Sequence, residues 1–144
     1  MSLGPRIDTA ALYDNEAVIG AGIRRSGFAR EELFVTTKIW NDRQGYDNAL
    51  EAIDESLQRL NIDYIDMLLI HWPCPQKDLF VETWDAFQDA QAEGKIRGIG
   101  VSNFKPAHLD KLQVVEDDQR LAGVALAPAP GGDLDLRPAT ARVV

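Results

Sequence analysis

The apolar and polar positions of this chain follow two different periods. Over residues 47–60 the apolar side chains recur at helical spacing on one face and the charged side chains on the other, which predicts an amphipathic helix. Residues 33–39 and 64–70 are instead nearly continuous apolar runs rich in β-branched side chains. Such runs are typical of strands buried on both faces of a parallel sheet.

The rest of the first 120 residues or so extends this alternation. Further elements are predicted as helices 16–25, 81–92 and 106–115 and strands 5–8 and 96–101. The four strands end near Asp8, Lys38, His71 and Ser102, which are 30, 33 and 31 residues apart. Each interval is one βαβ period. This regularity predicts parallel strands with right-handed helical crossovers, and therefore an α/β sheet or barrel.

Residues 124–144 break the pattern. They contain no aromatic side chain and are dense in Ala, Pro, Gly, Asp and Arg, a low-complexity composition that predicts a poorly ordered tail. Residues 125–129 are expected to add at most a short edge segment, because prolines are excluded from central strands. We therefore divide the chain into a folded unit, residues 1–123, and a tail, residues 124–144.

Charge and cysteine content narrow the functional classes. The formal net charge of -8 argues against binding nucleic acid or an anionic membrane, since both require clustered Lys and Arg. A single cysteine, Cys74, cannot form an internal disulfide, and no apolar run approaches the roughly 20 residues that span a bilayer. We expect a cytoplasmic protein that acts on a small molecule and has no metal site.

Functional-type side chains recur at the predicted strand ends. Taken singly, Asp8 is compatible with a turn residue, Lys38 with a solvated strand end and His71 with a hydrogen-bonded structural histidine. In parallel sheets and barrels, however, reactive groups collect where the carboxyl ends of the strands meet. Asp8, Lys38, His71 and the pair Ser102 and Asn103 all occupy this place, so their combination favours a functional site.

Four motifs sharpen this hypothesis: D-T-A-x-x-Y-x-x-E at 8–16, T-T-K-[IL]-W at 36–40, [LI]-H-W-P at 70–73 and G-[IV]-S-N-F at 100–104. In this order and spacing they resemble the aldo-keto reductases over roughly residues 6–123, and within that family the 2,5-diketo-gluconate reductase-like branch. The resemblance implies a TIM (β/α)8 barrel, of which this chain supplies about four consecutive βα units. It also implies reversible reduction of an aldehyde or ketone by hydride from NADPH.

The resemblance assigns roles to four residues. Tyr13 matches the general acid that protonates the developing alkoxide, and Lys38 the cation that stabilises its phenolate. A cation is needed because an unperturbed phenol, with a pKa of roughly 10, donates poorly near neutrality. Asp8 matches the residue that holds Lys38 charged and aimed, and His71 the one that orients and polarises the substrate carbonyl.

The cofactor and substrate contacts are implied in the same way. Ser102 and Asn103 match residues that bind the nicotinamide carboxamide, and Trp40 and Trp72 match aromatic walls of the substrate pocket, with packing at the barrel rim as the alternative. In the family the phosphates of NADPH are held mainly by loops of the last strands, and we find no counterpart of those loops here. The substrate itself, and the choice between NADPH and NADH, are not readable from these residues.

Two other hypotheses stay open. One is a catalytically inactive, truncated barrel. The other is a non-catalytic nucleotide-sensing or interaction subunit on the same fold, against which the intact set Asp8, Tyr13, Lys38 and His71 argues. Because four parallel strands leave unpaired edges, we also expect self-association through those edges.

Overall fold

The computed structural model describes residues 4–119, 125–126 and 140–143. Within them the strands form one sheet, in the order β1-β2-β3-β4-β6-β5, and all neighbouring strands are parallel. The strands are β1 (Arg6–Asp8), β2 (Phe34–Ile39), β3 (Ile65–Ile70), β4 (Ile96–Val101), β5 (Ala125–Leu126) and β6 (Thr140–Val143). The helices are α1 (Glu16–Arg25), α2 (Tyr46–Leu60), α3 (Phe80–Ala92) and α4 (Pro106–Gln119).

The predicted α/β class, with four consecutive βα units, is confirmed. Strands β1 to β4 are adjacent in sequence order, and one of the helices α1 to α4 follows each of them. The predicted boundaries of these elements lie within one residue of the observed ones, apart from the carboxyl end of α4. The agreement follows from strong local signals, such as the single apolar face of α2 and the fully buried run of β3.

Most of the segment 124–144 lies outside the described residues, so its poor order stays a prediction. Two pieces of it are described. Strand β5 lies at the edge of the sheet, and β6 pairs in parallel with β4, with Val101 opposite Val143. The sequence pattern did not predict β6, because four residues with neither alternation nor an apolar run give no strand signal.

The core lies between the helices and the sheet. Trp84 and Phe87 of α3 and Ile53 of α2 are fully buried against β-branched and leucine side chains of the strands. Each such side chain stabilises the fold by about 1.5 to 3 kcal/mol relative to an exposed one. None of the helices in the described part of the chain is long and apolar enough to cross a membrane.

The sheet register brings the strand ends to one rim. Asp8 lies opposite Thr36, Lys38 opposite Leu69, and Ile70 opposite Val101. The ladder continues past β3 and β4, because the His71 amide donates to Ile39 O at 3.4 Å and the Ser102 amide to Ile70 O at 2.9 Å. The residues that follow the four strands therefore emerge on the same end of the sheet.

Candidate active site

Lys38 is buried at this rim and forms an ion pair with the exposed carboxylate of Asp8. Its Nζ donates to Asp8 Oδ1 at 2.8 Å and to the main-chain oxygen of Thr9 at 3.1 Å. The Lys38 residue is only 8% exposed, whereas 71% of the Asp8 side chain is exposed. An ammonium loses hydration on burial, and polar partners must replace the lost water; the two contacts to Asp8 and Thr9 do so for Lys38. Lys38 is therefore not a solvated strand end.

Tyr13 lies beside this ammonium. It ends a short 3-10 turn, Ala11–Tyr13, between β1 and α1, and Asp14 follows in the left-handed region with φ of 53°. The Lys38 Nζ atom is 5.6 Å from the centroid of the Tyr13 ring. Half of the Tyr13 residue is exposed, and the described residues give its hydroxyl no hydrogen bond. The phenol is thus close to the cation and open to solvent.

The imidazole of His71 packs against the Tyr13 ring. Its ring meets the Tyr13 ring edge to face, at 90° and 6.2 Å between centroids. Burial lowers the pKa of His71, the neighbouring Lys38 ammonium lowers it further, and the Asp8 carboxylate opposes both. The Nδ1 atom is buried and has no hydrogen-bond partner among the described residues. A neutral ring with its proton on Nε2 fits this environment. In this tautomer Nδ1 carries a lone pair, so the ring does not bury an N–H donor that has no acceptor.

Two indoles flank the imidazole. The Trp40 ring lies edge to face with His71 at 5.2 Å, and the Trp72 ring lies nearly parallel to it at 6.5 Å with an angle of 11°. Trp40 is partly buried and Trp72 is exposed. The two indoles thus place apolar surface around the polar imidazole, which is the composition of a small-molecule pocket.

Ser102 and Asn103 follow β4, and Asn103 contacts the main chain of His71. The Asn103 side chain donates from Nδ2 to His71 O at 2.9 Å and to Ser102 Oγ at 3.1 Å. Asn103 adopts the left-handed region with φ of 62°, a conformation that Asn tolerates better than most side chains. Its Oδ1 makes no hydrogen bond among the described residues and is therefore free to accept one.

Glu16 is a buried carboxylate that the sequence analysis treated only as the start of a helix. It is 1% exposed and accepts hydrogen bonds from Thr37 Oγ1 at 2.7 Å, Ser56 Oγ at 3.2 Å and Arg59 Nε at 2.8 Å. These bonds tie the first residue of α1 to β2 and α2. The only available signal was its place as the last letter of the 8–16 motif, which does not reveal its partners.

Gln44 is a second residue that the sequence analysis missed. It lies between β2 and α2, is 4% exposed, and donates from Nε2 to the main-chain oxygen of Trp72 at 2.7 Å. No periodic pattern marks a polar side chain in a loop as buried, so the sequence offered no signal for it.

Comparison with known proteins identifies relatives of this chain. The family model described as "Aldo/keto reductase family" matches residues 5–127. The glyoxal reductase of Bacillus subtilis is 55% identical over 106 residues, which cover 74% of this chain and 38% of that protein. The chain thus spans about two fifths of the length of this curated relative.

Solved structures agree with the fold. An aldo/keto reductase from Brucella melitensis superposes with a TM-score of 0.75 at 49% identity, covering 81% of this chain and 43% of that one. A Bombyx mori aldo-keto reductase in complex with NADP gives a TM-score of 0.70 at 41% identity, covering 84% and 42%. The predicted partial (β/α)8 barrel is confirmed by these similarities.

Proposed function

Because the chain belongs to the aldo/keto reductase family, we propose that its rim residues reduce an aldehyde or ketone with NADPH, with Tyr13 as the general acid. The observation that carries the proposal is the proximity of three side-chain groups: the Lys38 ammonium, the Tyr13 phenol and the His71 imidazole. The Lys38 ammonium, held by Asp8 at 2.8 Å, lies 5.6 Å from the centre of the Tyr13 ring. The His71 ring meets the same phenol ring edge-on.

Tyr13 supplies the proton in this mechanism. As the carbonyl carbon is reduced, its oxygen gains negative charge and takes the phenolic proton. The phenolate that remains lies beside the Lys38 ammonium, which stabilises it electrostatically. Asp8 accepts from the same ammonium and fixes its position. A proton donor placed in this way accounts for a rate increase of about 10² to 10⁴.

His71 orients the carbonyl. Its lowered pKa keeps the ring neutral near pH 7, so a single N–H is available. The buried, unpaired Nδ1 leaves Nε2 as the donor toward the substrate oxygen. The indoles of Trp40 and Trp72 pack near the imidazole, where they exclude water and contact the apolar part of the substrate.

NADPH, when bound, supplies the hydride that reduces the carbonyl carbon. A primary carboxamide needs one acceptor for its NH2 group and one donor for its oxygen. The free Oδ1 of Asn103 and the hydroxyl of Ser102 offer this combination next to His71, so these residues fit the nicotinamide end. The choice of NADPH over NADH rests on the Bombyx mori relative, which binds NADP. We place the activity in the cytoplasm, consistent with the single, buried Cys74.

The decisive experiment measures NADPH oxidation by the purified chain with a simple aldehyde, and compares Tyr13→Phe with Tyr46→Phe. Tyr46 is a matched control, because it is also partly exposed but its hydroxyl binds Asp89 between α2 and α3. We expect Tyr13→Phe to lower kcat by about 100-fold or more and Tyr46→Phe to keep wild-type activity. Equal activity of the two variants contradicts the assignment of Tyr13.

A fluorescence titration with NADPH separates the alternatives. Binding with turnover supports the reductase, and binding without turnover supports a nucleotide-sensing subunit. Absence of binding supports an inactive barrel.

A further inference from the structure

Two successive main-chain oxygens follow β3, and a side-chain amide from a neighbouring loop holds each of them. Asn103 donates to His71 O at 2.9 Å, and Gln44 donates to Trp72 O at 2.7 Å. The His71 amide also donates to Ile39 O. The dipeptide that carries the imidazole and one indole of the pocket is therefore fixed from both sides of the strand end. Asn103 has a proposed role at the cofactor, whereas Gln44 has none.

The loop that carries Gln44 is itself anchored. Gly45, the next residue, has φ of 107°, a conformation open mainly to glycine, and its N–H donates to Thr83 Oγ1 on α3 at 2.9 Å. Asn48 of α2 donates from Nδ2 to Gln44 O at 3.4 Å. These contacts hold the Gln44 main chain while its side chain is buried and reaches the oxygen of Trp72.

We propose that Gln44 is a positioning residue for carbonyl reduction: by holding the Trp72 main chain, it keeps the Trp72 indole stacked on His71 and so fixes the direction of the His71 N–H toward the substrate. The proposal rests on the proposed function of His71. Stacking requires the two rings to stay nearly parallel, and they lie at 11°. A shift of the Trp72 main chain rotates the indole away and admits water to the imidazole.

The chemistry of the buried amide favours this role over packing alone. Gln44 Oε1 is buried without a hydrogen-bond partner among the described residues, and an unpaired buried acceptor is unfavourable. An apolar side chain of the same length fills the space without that cost. What the amide adds is the N–H that reaches Trp72 O.

The test replaces the amide and keeps its volume. Gln44→Met has similar length and lacks the donor. The matched control is Gln91→Met, because Gln91 Nε2 also donates to a main-chain oxygen, that of Arg97, at 2.9 Å. Arg97 lies at the start of β4, at the opposite end of the sheet from the rim. Gln44→Asn, which retains an amide but is one methylene too short, replaces Gln44→Met if the latter does not fold by circular dichroism.

The first readout does not depend on activity. The chain has two histidines and three tryptophans, so the imidazole and indole resonances can be assigned by single substitutions. In Gln44→Met we expect the pKa of His71, followed by NMR titration, to rise toward that of an ordinary histidine. Hydration reduces the burial that lowers this pKa together with Lys38 and against Asp8. The Trp72 indole resonance should shift with it. Gln91→Met should reproduce the wild-type spectra.

The second readout is steady-state kinetics. We expect the aldehyde KM to rise and kcat/KM to fall by about tenfold in Gln44→Met, with an unchanged Kd for NADPH. Wild-type His71 titration and wild-type KM in Gln44→Met overturn the proposal, as does an equal change in Gln91→Met. If the wild-type chain shows no reductase activity while the NMR differences appear, the positioning role is supported and only the proposed reaction fails.

Discussion

The ammonium of Lys38 lies 5.6 Å from the centroid of the Tyr13 ring while it donates to Asp8 at 2.8 Å. The carboxylate therefore binds the cation directly, and the phenol meets it through the ring. Because half of Tyr13 is exposed, rotation of its side chain into the pocket requires little loss of packing. Substrate binding between Tyr13 and His71 is expected to favour that rotation.

Removing the cation should abolish the stabilisation of the phenolate. We expect Lys38→Met to lower kcat for aldehyde reduction by about 100-fold or more, because no other cation is placed against the Tyr13 ring within the described part of the chain. Asp8→Asn should have a smaller effect in the same direction, since the amide oxygen can still accept from Lys38. Steady-state kinetics of both variants test this order, and a milder loss in Lys38→Met than in Asp8→Asn contradicts it.

The stability of the fold should fall as the pH drops below about 6.5, the ordinary pKa of histidine. His71 has a lowered pKa in the folded chain, so below that pH the unfolded chain binds more protons, and protonation favours unfolding. Urea unfolding between pH 7.5 and 5.5 measures the slope. Glu55, whose pKa Arg43 lowers, contributes only at lower pH.

His71→Asn should flatten this pH dependence. His108→Asn removes the other histidine without altering His71 and serves as the control. An unchanged slope in His71→Asn shows that the proton uptake occurs elsewhere.

Tyr64 offers a stability test far from the rim. Its ring lies between two guanidinium groups, with Arg30 at 4.0 Å and Arg97 at 3.9 Å from the centroid, and its buried hydroxyl has no hydrogen-bond partner among the described residues. Tyr64→Phe retains both cation–π contacts and removes the unpaired hydroxyl, so we expect the free energy of unfolding to rise by up to about 1 kcal/mol.

Tyr64→Leu loses the cation–π contacts and should lower the free energy of unfolding by about 1 to 2 kcal/mol. Thermal and urea unfolding of the two variants measure the difference. A destabilised Tyr64→Phe indicates a hydrogen bond of the hydroxyl in solution.

The buried Glu16 should matter more than an exposed ion pair. Glu16→Ala leaves Thr37, Ser56 and Arg59 without their common acceptor, and we expect a loss of about 2 to 4 kcal/mol in unfolding free energy. Glu55→Ala is the control, because Glu55 pairs with Arg43 while 44% of its side chain is exposed. Its loss should stay within about 1 kcal/mol. Similar losses in the two variants contradict the importance of burial.

The strands and helices could be predicted from the sequence because each is specified by residues that are close together in the chain. The face of α2 and the apolar runs of β2 and β3 are each specified within about 15 residues, and the strand ends follow from their spacing. Strand β6 was missed because its pairing with β4 depends on residues about 40 positions apart, and the sequence of β6 itself carries no signal for that pairing.

Burial of polar side chains was the main gap at the rim. Whether Lys38 is solvated or buried depends on Asp8 and Thr9, which precede it by 30 and 29 residues. The buried Gln44 side chain likewise donates to the main-chain oxygen of Trp72, which lies 28 residues later. Such contacts are set by how loops pack on one another, and composition or periodicity within either loop does not encode them.

The loop that carries Tyr13 is held at both ends. Thr9, 1% exposed, binds Thr36 O through its amide and Asn15 Oδ1 through its hydroxyl, and Glu16 is fixed to β2 and α2. Exposed loops usually accept inserted residues. Here the distance between the two anchors is fixed, so an inserted residue must bulge outward and carry the phenol away from Lys38. Extra length in this loop should therefore cost activity while leaving the fold intact.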